Sequence, residues 1–284
     1  MAETVFQNSG CVNTVLGAYN MLNAFIPLEY YANIDTTLNA KYAVLAQQEP
    51  TSPPKLQYFG VGIQGYYNNG EEHAKYNPDS RNMDLYTPIP IRMVEIKEDG
   101  SELTPEERAN YRMRKVVTIN GTSYACYYLK KIIWDPSYVQ LVQVGTDGSE
   151  STYALDPGEF LSPTPIKGTT GGQMTTGDAH VIVRAVGKCE VSLKELVEAM
   201  SVLYGKDYCI LSEAGFYTGC ECYVNAEEEL LQDVQEGKPE NAVNIEAVYA
   251  QLAKHKCFLP KTLDGTESSA TFWVSYESPT AIEI

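Results

Sequence analysis

The sequence has no apolar run approaching the ~20 residues that cross a bilayer. Its first ten residues, MAETVFQNSG, carry neither the basic stretch nor the apolar core of a secretory signal. Both absences point to a chain that folds in a cytosol. Histidine is scarce, with only His73, His180 and His255. No Gly-x-Ser-x-Gly elbow and no His-Glu-x-x-His pair supplies any of the three with a nucleophile or a metal partner. Basic charge is short as well. Lysine and arginine total 21 against 37 acidic residues, a formal charge of −16. A surface of that sign repels phosphate backbones, which disfavours direct binding to nucleic acid. The seven cysteines are an odd number scattered from Cys11 to Cys257. That is no secreted disulfide framework, and in a reducing compartment they read as buried thiols.

What remains is the composition of an ordinary globular chain, with 44% hydrophobic and 20% charged residues. Tyrosine stands out, with 21 copies against 7 phenylalanines. It offers a large contact area with a polar tip, which suits surfaces buried on assembly. Two Pro/Ser/Thr-rich stretches divide the chain, QQEPTSPPK at 47–55 and LSPTPIKGTTGGQMTTGD at 161–178. The expected organisation is an α+β protein. It comprises an amino-terminal arm over 1–55, a β-rich middle domain with hairpins over 56–165, a linker over 166–178 and a carboxy-terminal α+β domain over 179–284. The first segment, with its imperfectly periodic CVNTVLGAYNMLNAF at 11–25, is either an arm that packs on a neighbour or one edge of the main core.

Local signals sharpen this division. In VVTINGTSYACYYL (116–129), Asn120-Gly121 suits a two-residue type I′ turn. That turn pairs Val117 with Tyr124, Ile119 with Thr122, Thr118 with Ser123 and Val116 with Ala125. A second hairpin is expected over 138–155, turning at Asp147-Gly148. Thr104, Pro105 and Glu107 spell a helix start with a capping box. Ser192 and Glu195 spell another, opening an amphipathic helix over 192–205 that Gly205 ends. The periodicity of NIEAVYAQLAKHK predicts a further helix over 244–256, and 225–237 is a candidate for one more. With strands predicted at 180–186, 208–214, 216–224 and 270–276, the order resembles a ferredoxin-like β-α-β-β-α-β unit.

Three patterns invite a functional reading. Gly60-x-Gly62-x-x-Gly65 has the spacing of a dinucleotide-binding loop, and Asp84 lies 19 residues beyond Gly65. The pyrophosphate fingerprint, however, needs a helix opening at the third glycine. YYNNGEEHAKYNPDSRN has no apolar helical period, so a strand carrying glycines for bulges or close backbone approach is the favoured reading. GTTGGQMTTGDAH lacks the Gly-Lys-Ser/Thr ending of a phosphate loop and reads as a linker. Cys220-x-Cys222 with His255-x-Cys257 forms a possible zinc set, although Cys-x-Cys equally puts two thiols on one face of a strand as core residues. Acidic runs such as AEEELLQDVQE are ordinary solvated faces. No residue qualifies as catalytic, and no cofactor is implied.

Two phrases, LQYFGVGIQGYYNNG and YNPDSRNMDLYTPIPIRMV, begin a resemblance. With the Tyr-Phe-Gly-x-Gly run come Asp84-Leu85-Tyr86-Thr87-Pro88-Ile89-Pro90, then Glu107-Arg108-x-x-Tyr111-Arg112-x-Arg114, then a strand from Tyr124 to Lys130. Over about 56–165 the chain resembles a family of uncharacterised virion structural proteins of tailed bacteriophages. The resemblance implies a non-enzymatic role and a place in the particle, assembled in the host cytoplasm among multiple copies of other virion and tail proteins. A baseplate position, wedge or hub-proximal, is the expectation, with the neck or connector as the alternative. A cytosolic nucleotide-dependent enzyme using Gly60–Gly65 is the rival from another class.

Overall fold

A computed structural model describes residues 9–25, 34–45, 52–67, 75–76, 78–144, 149–154, 180–263 and 269–279. The chain opens with β1 (Ser9–Asn13), α1 (Val15–Phe25) and the short α2 (Leu38–Tyr42). Next come β2 (Lys55–Gly62), β3 (Tyr66–Tyr67), β4 (Lys75–Tyr76), β5 (Pro88–Ile89) and β6 (Arg92–Glu95). The middle holds α3 (Pro105–Arg108), β7 (Tyr111–Ile119), β8 (Thr122–Lys131), β9 (Ile133–Val144) and β10 (Glu150–Ala154). The remainder is β11 (His180–Ser192), α4 (Leu193–Tyr204), β12 (Cys209–Val224), β13 (Leu230–Asp233), β14 (Asn244–Leu263) and β15 (Ser269–Pro279). The protein is α+β and rich in strands, as expected.

Two compact units divide the chain, and sequence order does not set the division. One comprises Met1–Ile132 and Cys189–Thr271, the other Ile133–Lys188 and Phe272–Ile284. The larger carries a nine-stranded sheet in the order β1-β14-β12-β2-β8-β6, with β13 on β12, β5 on β2 and β7 on β8. The smaller carries a four-stranded sheet, β10-β9-β11-β15. The boundaries expected from composition are therefore not where the units part, and the 166–178 linker lies outside the described residues. The described part of the first segment is an edge of the main core. β1 pairs antiparallel with β14, and Asn20 of α1 donates to Thr218 Oγ1 and Gln251 Oε1 at 2.8 Å each.

Local chemistry explains most elements. Asn120 and Gly121 take φ of 51° and 85°, and β7 and β8 pair in the register expected from that turn, Ile119 with Thr122 through Val116 with Ala125. Thr104 and Glu107 close the full capping box of α3, with Pro105 inside it. At α4 only half the expected box forms. Ser192 accepts from the Glu195 N–H at 3.4 Å, while the Glu195 carboxylate accepts from the Tyr111 hydroxyl at 3.0 Å. Gly205 ends that helix at φ 64°. β9 and β10 form the second hairpin, and its tip at 145–148 lies outside the described residues.

The helix expected over 244–256 is instead the centre of the 20-residue strand β14. Residues 246–253 are all buried, so apolar residues are needed at both parities rather than at alternate positions. Tyr249 takes φ 53°, and the register with β12 shifts beside it between Thr218 and Cys220. That bulge moves the alternation by one residue, which puts Ile245, Val248, Tyr249 and Leu252 at gaps that imitate a helical stripe. The 225–237 stretch likewise yields β13 and a 3₁₀ turn at Val234–Glu236 rather than a helix. With α4 as the one α-helix among its described residues, the carboxy-terminal region does not follow the ferredoxin-like order.

Candidate functional site

The glycine motif folds around an anion that the protein supplies itself. Gly60 and Gly62 lie on β2 opposite Gly215 and Glu213 of β12. A Cβ at Gly62 would stand 2.5 Å from Glu213 Oε1 and 2.7 Å from the Thr87 carbonyl oxygen. Gly65 takes φ 91°, and a Cβ there would meet Cys257 Sγ at 2.6 Å. The fully buried Glu213 carboxylate accepts from the backbone N–H groups of Gln64 at 3.2 Å, Tyr86 at 3.0 Å and Thr87 at 2.9 Å. Burial pushes this carboxyl up, but the bonds from His255 and from the Thr87 and Tyr86 amides outweigh it and hold it below the usual range. Directly after Gly65 the described residues Tyr66–Tyr67 run extended as β3, paired with β4, where the fingerprint would open a helix. The cradle thus takes one amide from the glycine loop, Gln64, and two from the 82–87 loop, and holds a carboxylate in place of a phosphate. Asp84, at the spacing of a ribose ligand, accepts instead from Tyr42 Oη at 3.1 Å, Tyr217 Oη at 2.7 Å and Lys41 Nζ at 2.5 Å.

His255 and Cys257 complete the Glu213 cluster. His255 Nε2 lies 3.1 Å from Glu213 Oε2 and 3.5 Å from Cys257 Sγ, and its Nδ1 lies 3.3 Å from Asn82 Nδ2. The exposed ring of Tyr86 tilts over the imidazole at 5.3 Å. A nucleophile relay needs the carboxylate on one ring nitrogen and the thiol on the other. Here both sit on Nε2, and Glu213, His255 and Cys257 are each 0% exposed. The arrangement is a hydrogen-bonded lock joining β2, β12, β14 and the 82–87 loop.

The four-residue zinc set is not assembled. His255 and Cys257 pair with Gly215 and Glu213, whereas Cys220 and Cys222 pair with Val248 and Glu246 farther along β12. Five residues of strand between Gly215 and Cys220 separate the halves by roughly 16 Å. Cys220 and Cys222 pack with Val248, Leu45 and Leu230 as core thiols. Among the described residues no group of three or more His, Cys, Asp or Glu side chains could hold a metal ion. Cys126, Cys189, Cys209, Cys220, Cys222 and Cys257 are buried. Burial pushes the Cys126 and Cys220 thiols up to about 11, and those of Cys209 and Cys222 to about 12. His73 lies outside the described residues, and His180 begins β11 opposite Val144.

The sequence reading missed a second set of contacts, three guanidinium–carboxylate locks, of which one is buried and two are partly buried. Arg108 of α3 holds Glu246 at 2.7 Å, and Arg112 of β7 holds Glu221 at 2.6 Å with Lys131 on the same carboxylate at 3.0 Å. Arg114 holds Glu102 at 2.8 Å and also reaches Glu228. Glu246 accepts in addition from the Met113 N–H at 2.6 Å and the Ala247 N–H at 2.8 Å. The arginines stood in plain view as the ERANYRMR stretch. Glu246 and Glu221 lie on strands 138 and 109 residues from their arginines, where no spacing rule connects them, whereas Glu102 lies 12 residues before Arg114.

Tyrosine is also used differently from expectation. Tyr58, Tyr111, Tyr127 and Tyr217 are buried within the chain, and three of them spend their hydroxyls on carboxylates: Tyr217 on Asp84, Tyr111 on Glu195 and Tyr127 on Glu102. Beside the arginine locks lies an open cleft of about 440 Å³, walled by the outer side of β7, the turn after α2 and the start of β14. Arg108, Arg114 and Lys115 face it together with Glu228 and Glu246.

No curated protein and no solved structure matches the chain. A family model described as a family of unknown function, DUF7208, matches residues 1–252. The match includes β1, both arginine-bearing elements, the glycine loop and β14 as far as Leu252, and on that extent the chain belongs to the DUF7208 family.

Proposed function

We propose that this protein is a non-enzymatic structural component of a tailed-phage virion, placed in the tail baseplate and acting through protein–protein interfaces. One observation carries the reading: the phrases that resemble virion proteins all perform architectural work. The Tyr-Phe-Gly-x-Gly run closes over Glu213, and Asp84 anchors Tyr42 and Tyr217. Arg108 and Arg112 clamp carboxylates of the distant strands β14 and β12, and Arg114 clamps Glu102 and reaches Glu228. A reactive site would instead need polar groups that water or substrate can reach. The protein assembles in the host cytoplasm and joins multiple copies of other tail proteins, with the neck or connector as the alternative position. The nucleotide-dependent enzyme has less support, because a phosphate entering the glycine loop would meet the Glu213 carboxylate.

Mass spectrometry of purified virions from a phage encoding this chain tests the proposal. The polypeptide is expected at structural copy number, and its absence from intact particles would sink the reading. Calorimetry with the common dinucleotides tests the rival, for which a flat trace is expected.

A further inference from the structure

The cleft beside β7 combines features that the architectural reading does not use. Among the described residues β7 pairs with β8 alone, along one side. The Arg114 N–H points away from β8, onto Glu246 Oε2 at 3.3 Å. With the period of two, the N–H and C=O groups of Val116 and Thr118 point the same way and form an open strand edge. Val116, 46% exposed, stands at this edge and lines the cleft.

The opposite wall is unusual in its backbone. Ala43, Leu45 and Glu228 line the cleft with φ of 54°, 59° and 61°, and Met113, next to Arg114, takes 57°. Four of the six non-glycine residues with positive φ among those described therefore gather at one place. Such backbone persists where surrounding structure imposes it, and it concentrates at binding sites.

Charge identifies the occupant. Arg108 is matched by the buried Glu246, and Arg114 by Glu102. Lys115 holds its ammonium 5.7 Å from the Tyr42 ring and has no carboxylate partner among the described residues. The second carboxylate on Arg114 comes from Glu228, whose side chain is 51% exposed and sits in a tight turn held by Asn225. Glu228 is a surface acid lying across a cation that an incoming carboxylate could take over.

We propose that this cleft docks an acidic, extended segment of another protein. The segment pairs its backbone with Val116 and Thr118 and sets a carboxylate on Lys115 and Arg114 in place of Glu228. A second copy of this chain is the poorer occupant, because it would bring a further −16 of net charge to the interface. The inference is read from the cleft alone and stands or falls apart from the virion assignment.

The test uses the full chain and a fluorescein-labelled decapeptide alternating glutamate with threonine and valine, beside the same peptide with glutamine for glutamate. Anisotropy is expected to show the glutamate peptide binding about tenfold tighter than the glutamine one. Lys115→Gln should weaken it about fivefold, and Glu228→Gln should tighten it by about threefold, since exposed pairs are worth up to ~1 kcal/mol. A misfolded variant cannot produce the tightening. Val116→Pro removes an outward N–H without touching the β7–β8 ladder and should abolish peptide-induced amide protection at Thr118. Equal binding of the two peptides, or no tightening by Glu228→Gln, would overturn the proposal. So would a concentration-dependent dimer that Lys115→Gln dissolves, since the occupant would then be a second copy.

Discussion

Replacing Glu213 with glutamine tests the central lock directly. The side chain keeps its length and burial, but three backbone N–H groups, of Gln64, Tyr86 and Thr87, lose their charged acceptor, as does His255. Hydrogen bonds to a charged group are each worth about 1.5–3 kcal/mol, and an unsatisfied buried donor costs about 1–3 kcal/mol. An amide has a single acceptor oxygen and turns its NH₂ toward one of those donors, so the expected loss is about 3–5 kcal/mol, a large share of an ordinary domain's stability. With a urea slope of about 3 kcal/mol/M this lowers the midpoint by about 1–1.7 M. The probe matters, because Trp134 and Trp273 both belong to the smaller unit. Hydrogen exchange of β2, β12 and β14 amides in urea is the appropriate measurement. The Glu213 carboxyl is held below its ordinary value, so its contribution is fully present above the unfolded-state value near ~4.3 and is lost as pH falls through the lower folded-state value. The gap between wild type and Glu213→Gln should therefore persist at neutral pH and close under acid. A variant whose midpoint stays within ~0.2 M of wild type at neutral pH would refute the lock.

Other perturbations have defined outcomes. Gly62→Ala forces a Cβ against Glu213 Oε1 and the Thr87 carbonyl and should cost more than ~2 kcal/mol, seen as loss of soluble protein or a large drop in melting temperature. Gly65→Ala should be partly rescued by Cys257→Ala, which removes the nearest clashing atom and leaves only the φ strain. Arg108→Met or Glu246→Gln alone should destabilise by about 3–5 kcal/mol, while a double-mutant cycle should show strong coupling, because each single change strands a buried charge or donor. Maleimide labelling at pH 8 should leave Cys126, Cys209, Cys220 and Cys222 unmodified in the folded protein and modify all four in guanidinium, since burial raises each thiol. Chelation with EDTA should leave the melting temperature unchanged, because Cys220 and Cys222 lie apart from His255 and Cys257; a fall would restore a zinc reading.

Much of the short-range chemistry was legible in the residues themselves. Asn120-Gly121 set the turn and the register of β7 with β8, Thr104 to Glu107 set a capped helical turn, and Ser192 to Gly205 set the bounds of α4. The glycine spacing could also be judged, because the residues after Gly65 could not build the helix a phosphate needs. Decisions made by partners far along the chain were not legible. β14 imitates a helix because a bulge at Tyr249 shifts its alternation inside a sheet that buries both faces, and only pairing with β1 and β12 resolves the ambiguity. The split of His255 and Cys257 from Cys220 and Cys222 is a matter of register between two long strands, which no count of residues between ligands reports. Glu213 was one acid among 37, and only the meeting of β2, β12 and the 82–87 loop turned it into the anion that the glycines enclose. Sequence determines what each short segment can do by itself, while the occupant of a cradle and the partner of a buried arginine follow from contacts that close loops of a hundred residues or more.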